Sequence, residues 1–294
     1  MSSPSDKKNT QSVSDRQSPP VHVQENVNTH FDATVAYWDE VYRSGQLQGV
    51  IYQRRQGGVL EYVDAAELAP GARVLEIGCG AGHLTLALAE RGLRVQAVDA
   101  SPAMVELAAG QARAAGLDGQ VEVSPADAHA LPFEGGQFEL VVAVGVIPWL
   151  HSPGKALAEM ARVLRAGGHV VLTADNGARL TSFTDPRGML ALTPLRRVYH
   201  RLRNRPAQAV SYLYFPRRID RLARQAGLRP VARRTIGFGP LSFMGRPLVG
   251  EQRAVRINDR LQALADAGFP GLRWSGWHYL LRAHKDEPGD LQSP

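Results

Sequence analysis

Between residues 73 and 174 the chain alternates short β-branched and aliphatic runs with longer stretches whose apolar positions recur every three or four residues. The runs RVLEI (73–77), RVQAVD (94–99), QVEVSPAD (120–127), FELVVAV (138–144) and HVVLTA (169–174) predict five strands. GHLTLALAERG (82–92), SPAMVELAAGQARAAG (101–116) and PGKALAEMARVLRAGG (153–168) predict the helices between them. Ser101 is placed to cap the second helix, Pro102 suits its first turn, and a glycine pair closes the third. Apolar strands alternating with helices predict a parallel sheet covered on both faces.

Outside this stretch the rhythm changes. FDATVAYWDEVYR (31–43) reads as a helix with Phe31, Val35, Trp38 and Tyr42 near one face. A helix at 217–227, a sixth strand at 229–237 and a seventh, antiparallel-looking strand at 277–284 follow residue 175. The expected architecture is α/β: a seven-stranded, mostly parallel Rossmann-like sheet with helices on both faces and a C-terminal cap. Its expected parts are a disordered polar tail (1–25), an N-terminal helical lid (26–69), a cofactor-binding core (70–175), a cap insertion (176–215), a core helix and strand (216–238), a second cap insertion (239–275), the last core strand (276–285) and a tail (286–294). The two insertions are too long for connecting loops, and a cap belongs at the C-terminal edge of the strands, where open α/β sheets bind ligands.

Composition narrows the setting. Of 294 residues only Cys79 is a cysteine, which rules out an intrachain disulfide and a cysteine-rich metal site and points to a reducing, cytoplasmic compartment. The first 20 residues lack the apolar stretch of a signal peptide, and the longest apolar run, 140–150, is short of the roughly 20 residues that span a bilayer. Residues 176–285 hold 20 Arg and one Lys against five acidic residues, while the rest holds 13 basic against 23 acidic residues. A basic C-terminal part on an acidic core suits an anionic partner or a peripheral position on an anionic membrane face; it also suits a plain solvated surface. No aromatic-basic cluster of the RNA-binding kind is present, so nucleic acid is not an expected partner. No metal is expected.

The glycines of VLEIGCGAGHLT (74–85) occupy every second position, Gly78, Gly80 and Gly82, between a strand and a helix. Such a turn lets backbone approach a ligand closely, and the acidic residue ending the next strand, Asp99, is placed to accept hydrogen bonds from ribose hydroxyls. His83 stands where the third glycine of a dinucleotide fingerprint would fall, and Glu76 would repel a pyrophosphate.

VLEIGCGAGHLT, VQAVDASPAMV, SPADAHALPFEGGQFELVVAVGVIPWL and LRAGGHVVLT occur in that order, and together they resemble the motifs of class I S-adenosylmethionine-dependent methyltransferases over residues 70–175. The resemblance implies S-adenosyl-L-methionine as cofactor. Glu76, Gly78, Gly80 and Gly82 would line its methionine part, and Asp99 would hold the ribose. Ala100 and Met104 would lie against the adenine, Asp127 with Ala128 would meet the adenine amino group, and Val144 would close the pocket. Cys79 would contribute only backbone. His151, just after the fourth strand, is the candidate base, or else a helix-capping residue. His30 and Tyr42 flank the N-terminal helix, which in this superfamily often folds over the cofactor. THFDATVAYWDEVY with HSP bears a faint similarity to porphyrin carboxyl methyltransferases, which place a Tyr or His in comparable stretches.

The acceptor expected from this reading is small or lipid-like, anionic in one version, with O-methylation favoured. PLRRVYHRLRNRP (194–206) forms a basic amphipathic pattern, and GFGPLSFMGRPL (237–248) suits an apolar acceptor wall. The competing functions are a nicotinamide-dependent oxidoreductase and a non-catalytic S-adenosylmethionine-binding protein.

Overall fold

A computed structural model of the protein describes residues 27–29, 31–184, 211–239, 242–244 and 246–287. The apolar runs become strands β1 (Arg73–Ile77), β2 (Arg94–Asp99), β3 (Val121–Pro125), β4 (Phe138–Ala143), β5 (Leu164–Asp175), β6 (Leu228–Ile236) and β7 (His278–Lys285). They form one sheet in the order β3-β2-β1-β4-β5-β7-β6. Only β7 runs antiparallel to its neighbours. The strand order reverses between β1 and β4, which opens a crevice at their C-terminal ends.

Two-residue periodicity divides the core between the faces. Leu75, Ile77, Val141 and Ala143 join one cluster with Leu157 and Met160 of α5 (Pro153–Val163) and Ile219 of α6 (Pro216–Gln225). Val74, Ala97, Leu140 and Val142 join the other, with Val59 and Val63 of α2 (Leu47–Asp64), Leu88 of α3 (His83–Ala89) and Ala108 of α4 (Pro102–Ala114). Ser101 caps α4, its Oγ accepting from Met104 N at 3.2 Å.

Three departures from the sequence pattern have physical causes. First, α5 ends at Val163 rather than at the glycine pair, because Leu164 is extended and pairs with Phe138. The four residues before His169 then bulge past Glu139. A Cβ on Gly168 would come within 2.9 Å of Glu139 O, so that glycine serves a bulge and not a helix end. Second, the N-terminal helix breaks at Thr34, and only α1 (Val35–Val41) continues before the long α2. Third, the 239–275 segment contains α7 (Glu251–Asp266), which docks on the end of β6. Its Asn258 Oδ1 accepts from Phe238 N at 2.8 Å, and its Gln262 Oε1 from Gly237 N at 2.9 Å. Phe238 is buried, whereas Phe243 and Met244 are exposed. The basic 194–206 pattern and the whole of the expected N-terminal tail (1–25) lie outside the described residues. Among the described residues no helix is long and apolar enough to cross a membrane.

The last strand is tied to α6 by a buried network. Tyr279 donates to Asp220 Oδ1 at 2.6 Å, and Arg233 Nε donates to Asp220 Oδ2 at 2.8 Å. Tyr279→Phe removes one bond to a charged group and is expected to lower unfolding stability by about 1.5–3 kcal/mol, read from the urea midpoint. An unchanged midpoint would mean that the hydroxyl adds nothing.

Candidate active site

The crevice at the β1–β4 reversal widens into a cavity of about 490 Å³. The turn after β1 floors it, and three glycines build that turn for three different reasons. All have φ between +53° and +86°, which side-chain-bearing residues adopt rarely. A Cβ on Gly78 would sit 2.3 Å from Val146 Cγ2. Gly80 faces open space, and its N–H donates to Asp99 Oδ2 at 2.9 Å. Gly82 does not line the cavity: a Cβ there would meet Ala108 at 3.1 Å, so it permits α3 to pack on α4. The expected place of Gly82 is beside the methionine part; the structure gives it a packing contact with Ala108 instead.

Glu76 lines the cavity with its side chain almost wholly buried. Oε2 accepts from Thr85 Oγ1 at 2.6 Å. Burial pushes the carboxyl up to about 8, only partly opposed by the Thr85 bond. Asp99 also lines the cavity, and its Oδ1 accepts from Ser101 N at 2.9 Å. Burial raises its proton affinity against these backbone bonds. Asp127 accepts from His129 N and pairs with His129 Nδ1 at 2.7 Å, both at Oδ1. Burial works against its charge, but the His129 bonds prevail and hold the carboxyl below its ordinary value. Ala100, Met104, Ala128 and Val144 lie on the cavity wall as well. Burial also pushes the Cys79 thiol upward, out of reach of thiolate chemistry.

The candidate bases are dispersed. His151 is not among the cavity-lining residues; its ring stacks on that of His129, with centroids 3.8 Å apart. The chain turns through Ile147–Trp149 after β4, and His151 then lies against His129, the partner of Asp127. His30 lies outside the described residues. Tyr42 does line the cavity, and its hydroxyl accepts from Arg55 Nη2 at 2.6 Å.

Several cavity residues were not singled out by the motifs. Arg55 of α2 is buried, and its guanidinium lies over the Tyr52 ring at 4.6 Å. Burial disfavours its charge, but the neighbouring Tyr42 and Tyr52 outweigh that and raise its proton affinity. Asp175 at the end of β5 and His278 at the start of β7 face each other across the strand pair. Phe31, Trp38, Trp149 and Trp277 complete an aromatic wall. The rule that picked out Asp99, an acidic residue at a strand's C-terminal end, applies equally to Asp175. No described residue of 239–275 lines the cavity.

The family described as a methyltransferase domain matches residues 75–172, the stretch that supplies this floor. The matched stretch is a methyltransferase domain of the class I, S-adenosylmethionine-dependent kind. It is 40% identical to a ubiquinone biosynthesis O-methyltransferase of Caulobacter vibrioides over 108 residues, 36% of this chain and 42% of that one. It is 32% identical to an ajmaline N-methyltransferase of Rauvolfia serpentina over 113 residues, 38% of each chain. The matches thus span about two fifths of the length of these relatives. In fold it is similar to the magnesium protoporphyrin IX methyltransferase of Synechocystis PCC 6803, with TM-score 0.60, 17% identity, and 90% and 100% of the two chains covered.

The cofactor of this family, S-adenosylmethionine, suits the residues present. A buried carboxylate with a single hydroxyl partner calls for a cation, and the open face of Gly80 admits close approach. A linked pH dependence follows. In the free protein Glu76 is protonated below about pH 8, and a bound ammonium group requires it ionised. Affinity for S-adenosylhomocysteine is therefore expected to rise with pH toward 8, by up to about tenfold per unit, and to level off above it. Calorimetry at pH 7 in buffers of different ionisation enthalpy should record proton release, which Glu76→Gln should abolish. Equal proton release in both proteins would contradict the assignment.

Proposed function

We propose that this chain transfers the methyl group of S-adenosylmethionine to an oxygen of a small acceptor, anionic or amphipathic in character. The carrying observation is the division of charge around one cavity. The ends of β1, β2 and the segment after β3 bring Glu76, Asp99 and Asp127 to one side, and Arg55 approaches from α2 on the side of β4, β5 and β7. In this reading Glu76 holds the ammonium group, Asp99 the ribose hydroxyls, and Asp127 with Ala128 the adenine amino group. Ala100, Met104 and Val144 wall the base and the methionine chain. When bound, S-adenosylmethionine supplies a methyl on a positively charged sulfur that departs as a neutral thioether with the C–S electron pair.

The chain's own residues do the rest. Phe31, Trp38 and Trp149 shield the site from water, which strengthens each charge interaction within it. Arg55 and the Tyr42 hydroxyl together present a hydrogen-bonding pair toward an acceptor oxygen. Positioning of acceptor and methyl can supply a large part of the rate. The excess of Arg after residue 176 supports an anionic acceptor.

The rival oxidoreductase reading places a pyrophosphate near the buried Glu76, which would have to stay protonated beside it and would leave its ionisation unused. Calorimetry is expected to show binding of S-adenosylhomocysteine and none of NAD; the reverse would end the methyltransferase reading. Asp99→Ala is expected to weaken S-adenosylhomocysteine about tenfold or more. It should also lower the melting temperature, because Gly80 N–H and Ser101 N–H lose their acceptor. Unchanged affinity would contradict the ribose role. Transfer of labelled methyl to hydroxyl but not amine compounds tests the oxygen assignment.

A further inference from the structure

We propose that His278, backed by Asp175, is the general base that takes the proton from a phenolic hydroxyl of the acceptor, and that Arg55 holds the oxyanion left behind. This rests on the methyltransferase reading and names its acceptor class and its base.

His278 lines the cavity yet is only 3% exposed. Nδ1 lies 3.2 Å from Asp175 Oδ1. Neither ring nitrogen makes an aligned hydrogen bond, and Nε2, on the far side from Asp175, has no partner. Buried polar atoms in native proteins nearly always have partners, so an exception calls for one that arrives with ligand. Arg55 repeats the signal, since its Nε is buried and unpartnered. The two side chains enter the same cavity from α2 and β7.

The charged and titratable groups around the imidazole are Asp175 on β5, Arg55 and Tyr52 on α2, and Arg179 beyond β5. Burial first, then the two guanidinium groups, hold His278 below its ordinary proton affinity, while Asp175 pulls the other way. The free imidazole is thus neutral near pH 7 and able to accept a proton, and Asp175 stabilises the imidazolium once formed.

The chemistry of the acceptor follows from what needs such a base. A carboxylate is already ionised at pH 7 and needs none. A neutral amine attacks through its own lone pair. An aliphatic alcohol is far too weak an acid for an imidazole to ionise. A phenol, with a reference value near 10, lies within reach of a histidine base assisted by a guanidinium. The walls agree with a planar ring. Trp277 stacks on His278 at 5.4 Å and 12°, Tyr52 lies 5.8 Å from it, and Trp38 stacks on Tyr52 at 5.9 Å. The proton moves from the hydroxyl to Nε2, the O–H electron pair stays on the oxygen, and the resulting anion sits beside Arg55. The proton leaves to solvent after product departs.

The test uses 4-nitrocatechol, whose visible absorbance reports its ionisation, added to the protein saturated with S-adenosylhomocysteine. Wild type is expected to lower the ionisation midpoint of the bound probe by about one unit or more. His278→Gln should return it toward the free value, with S-adenosylhomocysteine affinity and melting temperature kept. Asp175→Asn serves as a second variant and should give an intermediate midpoint. With S-adenosylmethionine, turnover of unsubstituted catechol, which is not ionised at pH 7, should fall about 10²-fold or more in His278→Gln, with loss of the rising limb of its pH profile. Equal midpoints in wild type and His278→Gln would overturn the base. Failure of the probe to bind wild type that does bind S-adenosylhomocysteine would overturn the phenolic class. Failure of S-adenosylhomocysteine itself to bind would overturn the methyltransferase reading, and this proposal with it.

Discussion

The carboxylate of Asp99 is the clasp on which the site depends. One oxygen takes the Gly80 N–H and so fixes the turn after β1; the other takes the Ser101 N–H and fixes the start of α4. Ser101 in turn donates its hydroxyl to Asp32, and this connects the N-terminal segment to the floor of the cavity. A single side chain thereby joins the ends of two neighbouring strands, a helix cap and the segment above them. The backbone bonds oppose the burial that raises the carboxyl's proton affinity, and the group retains lone pairs for further hydroxyl donors. Structural clasp and ligand acceptor are compatible roles because the two backbone donors approach different oxygens.

Around that clasp the cavity is electrostatically lopsided by construction. A parallel sheet aligns all its C-terminal strand ends on one edge, so side chains distant in sequence become neighbours there. Glu76, Asp99 and Asp127 come from the β1–β3 side, whereas Arg55 and His278 approach on the other, where Asp175 faces them. The proposed acceptor chemistry would use this arrangement: a bound cation would stabilise buried carboxylates, and the guanidinium a buried oxyanion. Each charge would be costly in the cavity alone.

Much of this was legible in the sequence where the signal is local. β1, β2 and the cap at Ser101 follow directly from apolar runs and the Ser-Pro pair, and the glycine turn announces itself. The roles of the individual glycines do not, because Gly82 is needed for a contact with Ala108, a residue 26 positions away. The glycine pair at 167–168 looks like a helix end and is a bulge, since only the register with β4 reveals it. α2 carries Gly49, Gly57 and Gly58 and no clean apolar stripe, so its pattern is weak although it delivers Arg55 to the site. Gly58 lets α2 approach the Ile236 side chain closely; a Cβ there would come within 2.7 Å of its Cδ1. His151 was attractive because it follows a strand end directly. His278 was not, because it begins a strand, and only the antiparallel direction of β7 turns a beginning into the functional edge.

The acceptor side obeys the same rule as the cofactor side, one strand over. Gly145 follows β4 as Gly78 follows β1, again with positive φ, at +73°. Its N–H donates to Thr173 Oγ1 at 2.8 Å, which ties the end of β4 to β5 much as Asp99 ties β1 to β2. A Cβ on Gly145 would come within 3.1 Å of Arg55 Nη1. The absence of a side chain there admits a guanidinium to the strand edge, just as the open face of Gly80 leaves room for ligand. Two glycine turns, each pinned by a side chain of the adjacent strand or its end, thus define the two halves of the cavity. The chemical character of the second half is set by what α2 and β7 insert into the space that the glycine leaves: Arg55 and His278.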